Sequence, residues 1–474
     1  MKEKVHSFAE KYGCIFFGEV VLNHTSYDSE WLQECPDACY NLKNTPQLNS
    51  AYVLDVALQQ FSNKIANGEV PEYPKKKVEN EDDLRHLMHL IEHQVIAPLN
   101  LHEYFLIDVQ GTRNKFIEYI TKVHPELQIP EKYFEDDEDM FNIFIPEKLT
   151  TLINCIEKTL TNVGAQKFGV EVDLKSVAKY YVENPTKGSH EQFELALKHF
   201  NEQLEKMARG YINEALTSIQ NNVRYQKLEL REHEITIEKP IVYSYFNHLP
   251  DGTAVANNGW IYSGDPTEDF AVSNNFYYLR RGIVIWGDLI KLRFGASKKD
   301  CPVLWKRMKH YVQKTAEIFN GLRLDNAHTT PIHVAEYLVR KGRKVNPNLY
   351  VFSELFTGSE EKDALFTKRI AVNALVREAI QVRNLIDFLS HLSKQNTPHD
   401  LCASIHYFSR GIDVAVGSLD PYVEIDAETN KEIEILKPRG PDGLFYDLTH
   451  DNISYHEKRT FMDSLSTAAL VNLI

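Results

Sequence analysis

Gly321-Leu322-Arg323-Leu324-Asp325-Asn326-Ala327-His328-Thr329-Thr330-Pro331-Ile332-His333-Val334-Ala335-Glu336-Tyr337-Leu338 is the stretch on which the fold turns. Gly321 to Asp325 reads as a short strand. Thr330 is placed to cap a helix with Pro331 at its first position, where the missing N–H costs nothing and the fixed φ suits helix. Val334, Tyr337 and Leu338 fall on one apolar face of that helix, which runs out near Lys344. Asn346-Pro347-Asn348 makes a turn, and Leu349-Tyr350-Val351-Phe352-Ser353 is the next strand, ending at Glu354. Together these form a βαβ unit. Its two strands run parallel, so their ends lie on one rim of a sheet. Asp325 and Glu354, 29 residues apart, are therefore expected as neighbours.

Two other segments have the same character. Cys14-Ile15-Phe16-Phe17-Gly18-Glu19-Val20-Val21-Leu22 is a nearly continuous apolar strand closing on Asn23-His24. Leu444-Phe445-Tyr446-Asp447-Leu448-Thr449 follows the turn Gly440-Pro441-Asp442-Gly443 and ends on His450-Asp451-Asn452. From about 60 to 240 long helical patterns take over. Phe193, Leu197, Phe200, Leu204, Met207 and Tyr211 step by four and three along one stripe. The runs Lys75-Lys76-Lys77 and Glu135-Asp136-Asp137-Glu138-Asp139 read as solvated loops.

At roughly 150 residues per domain, 474 residues hold about three structural units, or two if one is a large barrel. Hydrophobic residues make up 43% and charged residues 25%, the balance of a folded globular protein. A net charge of −14 disfavours nucleic acid and anionic membrane surfaces as partners. No apolar run reaches the ~18 residues of a membrane span, because Glu19 and Asp288 interrupt the best stretches, and Met1-Lys2-Glu3-Lys4 opens no signal peptide. Six unevenly spaced cysteines, at 14, 35, 39, 155, 301 and 402, suit a reducing compartment. The expected location is the cytoplasm.

Two carboxylates on one rim suggest glycoside chemistry. In retaining enzymes the pair stands roughly 5–5.5 Å apart, and adjacent strands at ~4.8 Å deliver that separation. Arg323, two residues before Asp325, projects to the same strand face, where it would keep the aspartate ionised. Glu354 must instead hold a proton until it transfers it. Taken alone, a strand-end Asp or Glu is far more often a surface loop residue or a helix cap. The ordered set Asn23-His24, Arg323-x-Asp325, Glu354 and His450-Asp451 is far more specific. Trp260, Trp286, Tyr277 and Tyr278 either offer flat faces to sugar rings or fill the core. Cys35 and Cys39 lack a second ligand pair at finger spacing, and no phosphate-cradling glycine loop, GxSxG elbow or HExxH helix occurs. No metal site and no cofactor are expected.

On these residues the sequence resembles the α-amylase superfamily of retaining α-glucan enzymes and, within it, the eukaryotic glycogen debranching enzymes. The resemblance is carried by Glu19-Val20-Val21-Leu22-Asn23-His24-Thr25, by Trp31-Leu32 and Tyr40-Asn41-Leu42, and by the stretch from Gly321 to Tyr337. Pro347 to Val351, Glu354-Leu355-Phe356-Thr357-Gly358-Ser359-Glu360 and Asp447-Leu448-Thr449-His450-Asp451-Asn452 extend it. It is thinnest in the helical region. The resemblance implies a 4-α-glucanotransferase acting on glycogen and malto-oligosaccharides, with Asp325 as nucleophile, Glu354 as acid/base and Asp451 as transition-state stabiliser. It assigns Arg323, His24, His328 and His450 to holding the nucleophile or the sugar hydroxyls; Asn23, at the position of a metal ligand in calcium-dependent amylases, is taken with Trp286 as substrate-binding rather than as a metal site.

The fold implied is an α/β architecture of the (β/α)8 TIM-barrel type. Residues 1–60 would carry the third barrel strand, 61–240 a large, mostly helical insertion, and 241–474 the fourth to seventh strands with the start of the eighth. Two departures stand out. Position 19 is Glu where the superfamily pattern has Asp, and the third-strand motif begins only 18 residues from Met1, so the barrel reads as incomplete at both ends. The amylo-α-1,6-glucosidase half of full-length relatives finds no match. A rival reading is a truncated, non-catalytic glycogen-binding or interaction protein. Activity of the isolated chain and protein partners stay open.

Overall fold

Alternation along the strands sets the first sheet. In Gly321–Asp325 the residues Leu322 and Leu324 are buried, whereas Arg323 and Asp325 between them keep part of their surface. The computed structural model describes residues 2–131, 147–184, 189–261, 265, 268–271, 276–355, 357 and 359–378, with the strands 416–417, 422–425, 432–435, 438–439 and 442–446. The strands up to residue 378 are β1 (Phe17–Val21), β2 (His24–Ser26), β3 (Phe246–His248), β4 (Ala254–Ile261), β5 (Ile283–Lys291), β6 (Gly321–Asp325), β7 (Tyr350–Ser353) and β8 (Ala374–Glu378). The described residues divide into two compact units, one drawn from Met1–Thr25, Asp265–Asp269 and Leu292–Ile474, the other from Ser26–Gly264 and Phe270–Lys291.

The first unit is built on a five-stranded sheet in the order β1, β6, β7, β8 and the strand Asp442–Tyr446, every neighbouring pair parallel. Register sets Glu19 beside Arg323 and Val21 beside Asp325, and Leu324 beside Ser353 on the other side. Parallel neighbours need crossovers, which here are helices: Pro302–Ile318 before β6, Ile332–Arg343 between β6 and β7, and Glu360–Ile370 between β7 and β8. Val20, Leu322, Leu324 and Val351 are essentially solvent-free, each burial contributing about 1.5–3 kcal/mol. Gly18 lets the sheet meet the helix Pro302–Ile318 closely, since a Cβ there would collide with Thr315 and with Phe319 just past the helix end. Phe17, Glu19, Arg323, Asp325 and Phe352 alternate to the other face, where the Phe17 ring meets Phe352 edge-on at 4.9 Å.

Local differences from the sequence reading have physical causes. The first strand is shorter than Cys14–Leu22, and Thr330 does not cap its helix: Pro331 occupies the N-cap and Ile332 begins the helix, while Thr330 Oγ1 is buried without a hydrogen-bond partner. The 3₁₀ turn Ala327–Thr329 brings the chain in at an angle that leaves Thr330 as the end of that turn. The last strand of the sheet is Asp442–Tyr446, so the expected turn residues Asp442 and Gly443 are already paired with β8.

The second unit is rich in helices. Ser189 and Gln192 form a capping box that starts the 34-residue helix His190–Val223. The stripe Phe193, Leu197, Phe200 and Leu204 packs into one apolar cluster, and Ala208, Ala215, Ile219 and Val223 into another, with Met207 touching both. Strands β3, β4 and β5 run antiparallel, β4 lying between the other two. Arg281 and Asp55, both almost fully buried, pair at 2.7 Å, and Asp55 also accepts from the Ser244 hydroxyl and the Tyr245 N–H. No helix among the described residues is long and apolar enough to cross a membrane.

Candidate active site

The C-terminal ends of β6 and β7 deliver the site in the first unit. Asp325 is the last residue of β6, and Glu354 follows the last residue of β7. Glu354 N–H donates to the Leu324 carbonyl at 3.0 Å, and the Glu354 carbonyl accepts from Ala327 N–H at 3.0 Å. The two strand ends are thereby locked at one level, as the βαβ reading expects.

Arg323 organises the charges. Its Nη1 donates to Asp325 Oδ1 at 2.8 Å and to Glu19 Oε1, and its Nη2 lies 3.3 Å from Glu354 Oε2. The Asp325, Glu354 and Arg323 side chains are 16%, 12% and 18% exposed, and Glu19 is 54% exposed. The longer side chain at position 19 thus still reaches the guanidinium from β1. Asn326 takes a left-handed conformation with φ 44°, which Asn tolerates better than most residues. That turn aims its backbone N–H at Glu354 Oε2, 3.0 Å away.

The two carboxyls are pushed apart in acidity. Burial raises the Asp325 carboxyl, but hydrogen bonds from Arg323 and Glu354, together with the charges of Arg323 and His24, outweigh it and hold the group below the usual carboxylate range. Burial pushes the Glu354 carboxyl up to about 7, the nearby Asp325 adding to the rise against the Asn326 N–H and Arg323. Such a pair presents one anion and one acid near neutral pH, the division of labour that glycoside chemistry needs.

Around this pair the structure brings together most of the residues singled out from the sequence. Asn23 is buried, its amide donating to Thr329 Oγ1 and its Oδ1 lying 2.9 Å from His24 Nδ1. Thr329 in turn donates to the Asn326 carbonyl at 3.0 Å, so the loop after Asp325 is tied to the segment after β1. His328 is 5% exposed, and burial pulls its imidazole down to about 4, so it is neutral at ordinary pH. Trp286 lies on β5 in the second unit. His450 and Asp451 fall outside the described residues. Sequence reasoning missed Asn326, Thr329 and Tyr311, whose hydroxyl donates to the Glu19 carbonyl at 3.0 Å. Of these only Asn326 carried a signal, an αL-tolerant residue directly after a strand end. No cluster of three or more His, Cys, Asp or Glu suited to a metal ion occurs among the described residues.

Residues 1–350 match the model of a family described as glycogen debranching enzyme, glucanotransferase domain. A glycogen debranching enzyme from Saccharomyces cerevisiae is 33% identical over 495 residues, an alignment that takes in 100% of this chain and 32% of that protein. The chain therefore spans less than half the length of this relative. A type III pullulan hydrolase from Thermococcus kodakarensis aligns over 20% of this chain and 16% of its own, at 23% identity and a TM-score of 0.16, too small a part to bear on the fold.

Proposed function

This chain belongs to the glycogen debranching enzyme family, matching its glucanotransferase domain, and from that premise we propose that it transfers α-1,4-linked glucan segments between chains by a retaining double displacement. The observation that carries the reading is the carboxyl pair on one guanidinium, Asp325 held below and Glu354 above the usual carboxylate range by their surroundings. An Asp325 oxygen attacks the anomeric carbon as the glycosidic C–O bond breaks, and the Glu354 proton goes to the departing 4-oxygen. Glu354, now an anion, takes the proton of an incoming 4-hydroxyl. That oxygen bonds to the anomeric carbon, and Asp325 leaves as a carboxylate.

Asp451 is proposed to stabilise the transition state, and Arg323, His24, Asn23, His328, His450 and Trp286 to hold the nucleophile or the glucan. Neutral His328 suits hydrogen bonding to a sugar hydroxyl. Glycogen and malto-oligosaccharides are the proposed substrates and the cytoplasm the proposed location.

A (β/α)8 barrel is the proposed closure of the parallel sheet. Its strands are parallel and neighbour one another in chain order, the sequence of a barrel wall. The insertion is proposed to follow the third barrel strand, within residues 61–240.

The test is disproportionation of maltopentaose by the protein and by Asp325→Asn. The reading expects shorter and longer products from the wild type and none from the variant, with glycogen binding kept. Near-normal product formation by the variant refutes it.

A further inference from the structure

In the second unit, β4 and β5 pair Asn258 with Trp286 and Trp260 with Val284. Cross-strand partners point to one side, so these four residues share a face. The opposite face belongs to the core: Ile283 is part of the large apolar cluster, and Ile261 and Ile285 pack against it. The face that remains exposes apolar surface. Trp260 is 42% and Val284 49% exposed, and Trp286 is half-buried. Trp305, by contrast, is 5% exposed and donates its indole N–H to the Phe294 carbonyl at 2.9 Å, as a structural tryptophan does.

A second observation lies on the same face. Asn258 is 0% exposed, and neither Oδ1 nor Nδ2 has a hydrogen-bond partner. A buried amide left in this state is a cost to the fold and calls for an explanation. It stands directly across from Trp286 and two residues along the strand from Trp260. An amide with N–H donors and an acceptor oxygen beside two tryptophans matches a sugar, whose C–H faces stack on aromatic rings and whose hydroxyls both donate and accept.

We propose that this face of the sheet, Trp260 and Trp286 with the Asn258 amide beside both, binds an α-glucan chain. The proposal rests on the glucan reading above and extends it to residues that no carboxylate chemistry requires. Trp260 and Trp286 supply stacking area. A glucan hydroxyl supplies the partner that the Asn258 amide lacks.

The experiment is gel electrophoresis of the native protein in matrices containing glycogen, with wild type, Trp260→Ala, Trp286→Ala and Asn258→Leu. Wild type should be retarded. Each tryptophan variant should lose affinity roughly 3- to 10-fold, the scale of one aromatic contact. Asn258→Leu is the diagnostic, since replacing an unpartnered amide by an apolar group of like size should leave the melting temperature unchanged or raised while weakening glycogen retention. A merely structural amide would show no such split. Wild-type retention with undiminished retention of both tryptophan variants overturns the proposal, and with it the placing of Trp286 on the glucan, and leaves the transfer chemistry of Asp325 and Glu354 intact. Failure of the wild type both to bind glycogen and to disproportionate maltopentaose overturns the two together. Retention lost only toward a bound protein impurity, and not toward purified glycogen, also overturns it.

Discussion

Replacing Arg323 by Met keeps most of the side chain's volume and withdraws the guanidinium from three carboxylates at once. A hydrogen bond to a charged group, such as the 2.8 Å contact to Asp325, contributes about 1.5–3 kcal/mol. One pKa unit corresponds to about 1.4 kcal/mol, so Asp325 should titrate about one to two units higher in the variant. The acid limb of kcat/KM for maltopentaose disproportionation should move up by that amount, because the nucleophile must be ionised. The basic limb should rise too, since Glu354 loses a cation that favours its anion. Stability should follow with a definite sign. The Asp325 carboxyl lies below its ordinary value, so its pairing stabilises the fold above about pH 4 and that stabilisation is lost as pH falls through the folded value. Urea unfolding should therefore find Arg323→Met less stable than wild type near neutral pH, with the gap narrowing in acid. An acid limb that stays in place, or a stability gap that does not change with pH, would refute the assignment of Arg323 as the group that keeps Asp325 ionised.

Glu19→Gln should move the basic limb the opposite way, to lower pH, because Arg323 is then shared by fewer anions and favours ionised Glu354; half-exposed Glu19 is screened, so the shift should stay below about one unit. An upward shift measured in the same assay would contradict this. Glu354→Gln should keep turnover on α-glucosyl donors with activated leaving groups, and azide should accelerate it; equal loss on activated and natural donors without rescue would make Glu354 structural. Buried Lys227 donates to the carbonyls of Glu234 at 2.8 Å and Lys239 at 3.2 Å, and burial pulls its amine down to about 8. The unfolded chain then binds more protons between about pH 8 and pH 10.4, so stability should rise across that window. Lys227→Met should abolish the rise in chemical denaturation curves, and a persisting rise would assign it to another group.

The βαβ unit was legible because its signals are local: the strand Gly321–Asp325, the apolar face of Val334 and Leu338, and the Asn346-Pro347-Asn348 turn all lie within one crossover. Adjacency of Asp325 and Glu354 followed from parallel pairing alone. The stripe from Phe193 to Tyr211 likewise announced a helix, though not that one 34-residue helix would serve two apolar clusters. Contacts that depend on tertiary closure were not legible. Nothing near Thr329 in sequence indicates that it accepts from Asn23, 306 residues away, and the Glu19 link to Arg323 depends on β1 pairing with β6 across 304 residues. The antiparallel strands β4 and β5 hid for another reason. A bulge between Asn257 and Asn258 breaks the simple two-residue alternation, and Trp260, Val284 and Trp286 put apolar residues on the exposed face. The tryptophans and tyrosines grouped together in the sequence were then separated by the fold, Tyr278 into the core and Trp260 onto the surface.

The central claim is that Asp325 forms a covalent bond to glucan during transfer. Its most direct test is to incubate the protein with a fluorine-substituted α-glucosyl fluoride, whose first step proceeds faster than its second, and to map the adduct by peptide mass spectrometry. The account predicts one glycosyl adduct per chain on the peptide containing Asp325, absent in Asp325→Asn and displaced by added maltose. An adduct on any other residue, or maltopentaose disproportionation that continues at a near-normal rate in Asp325→Asn, would contradict it.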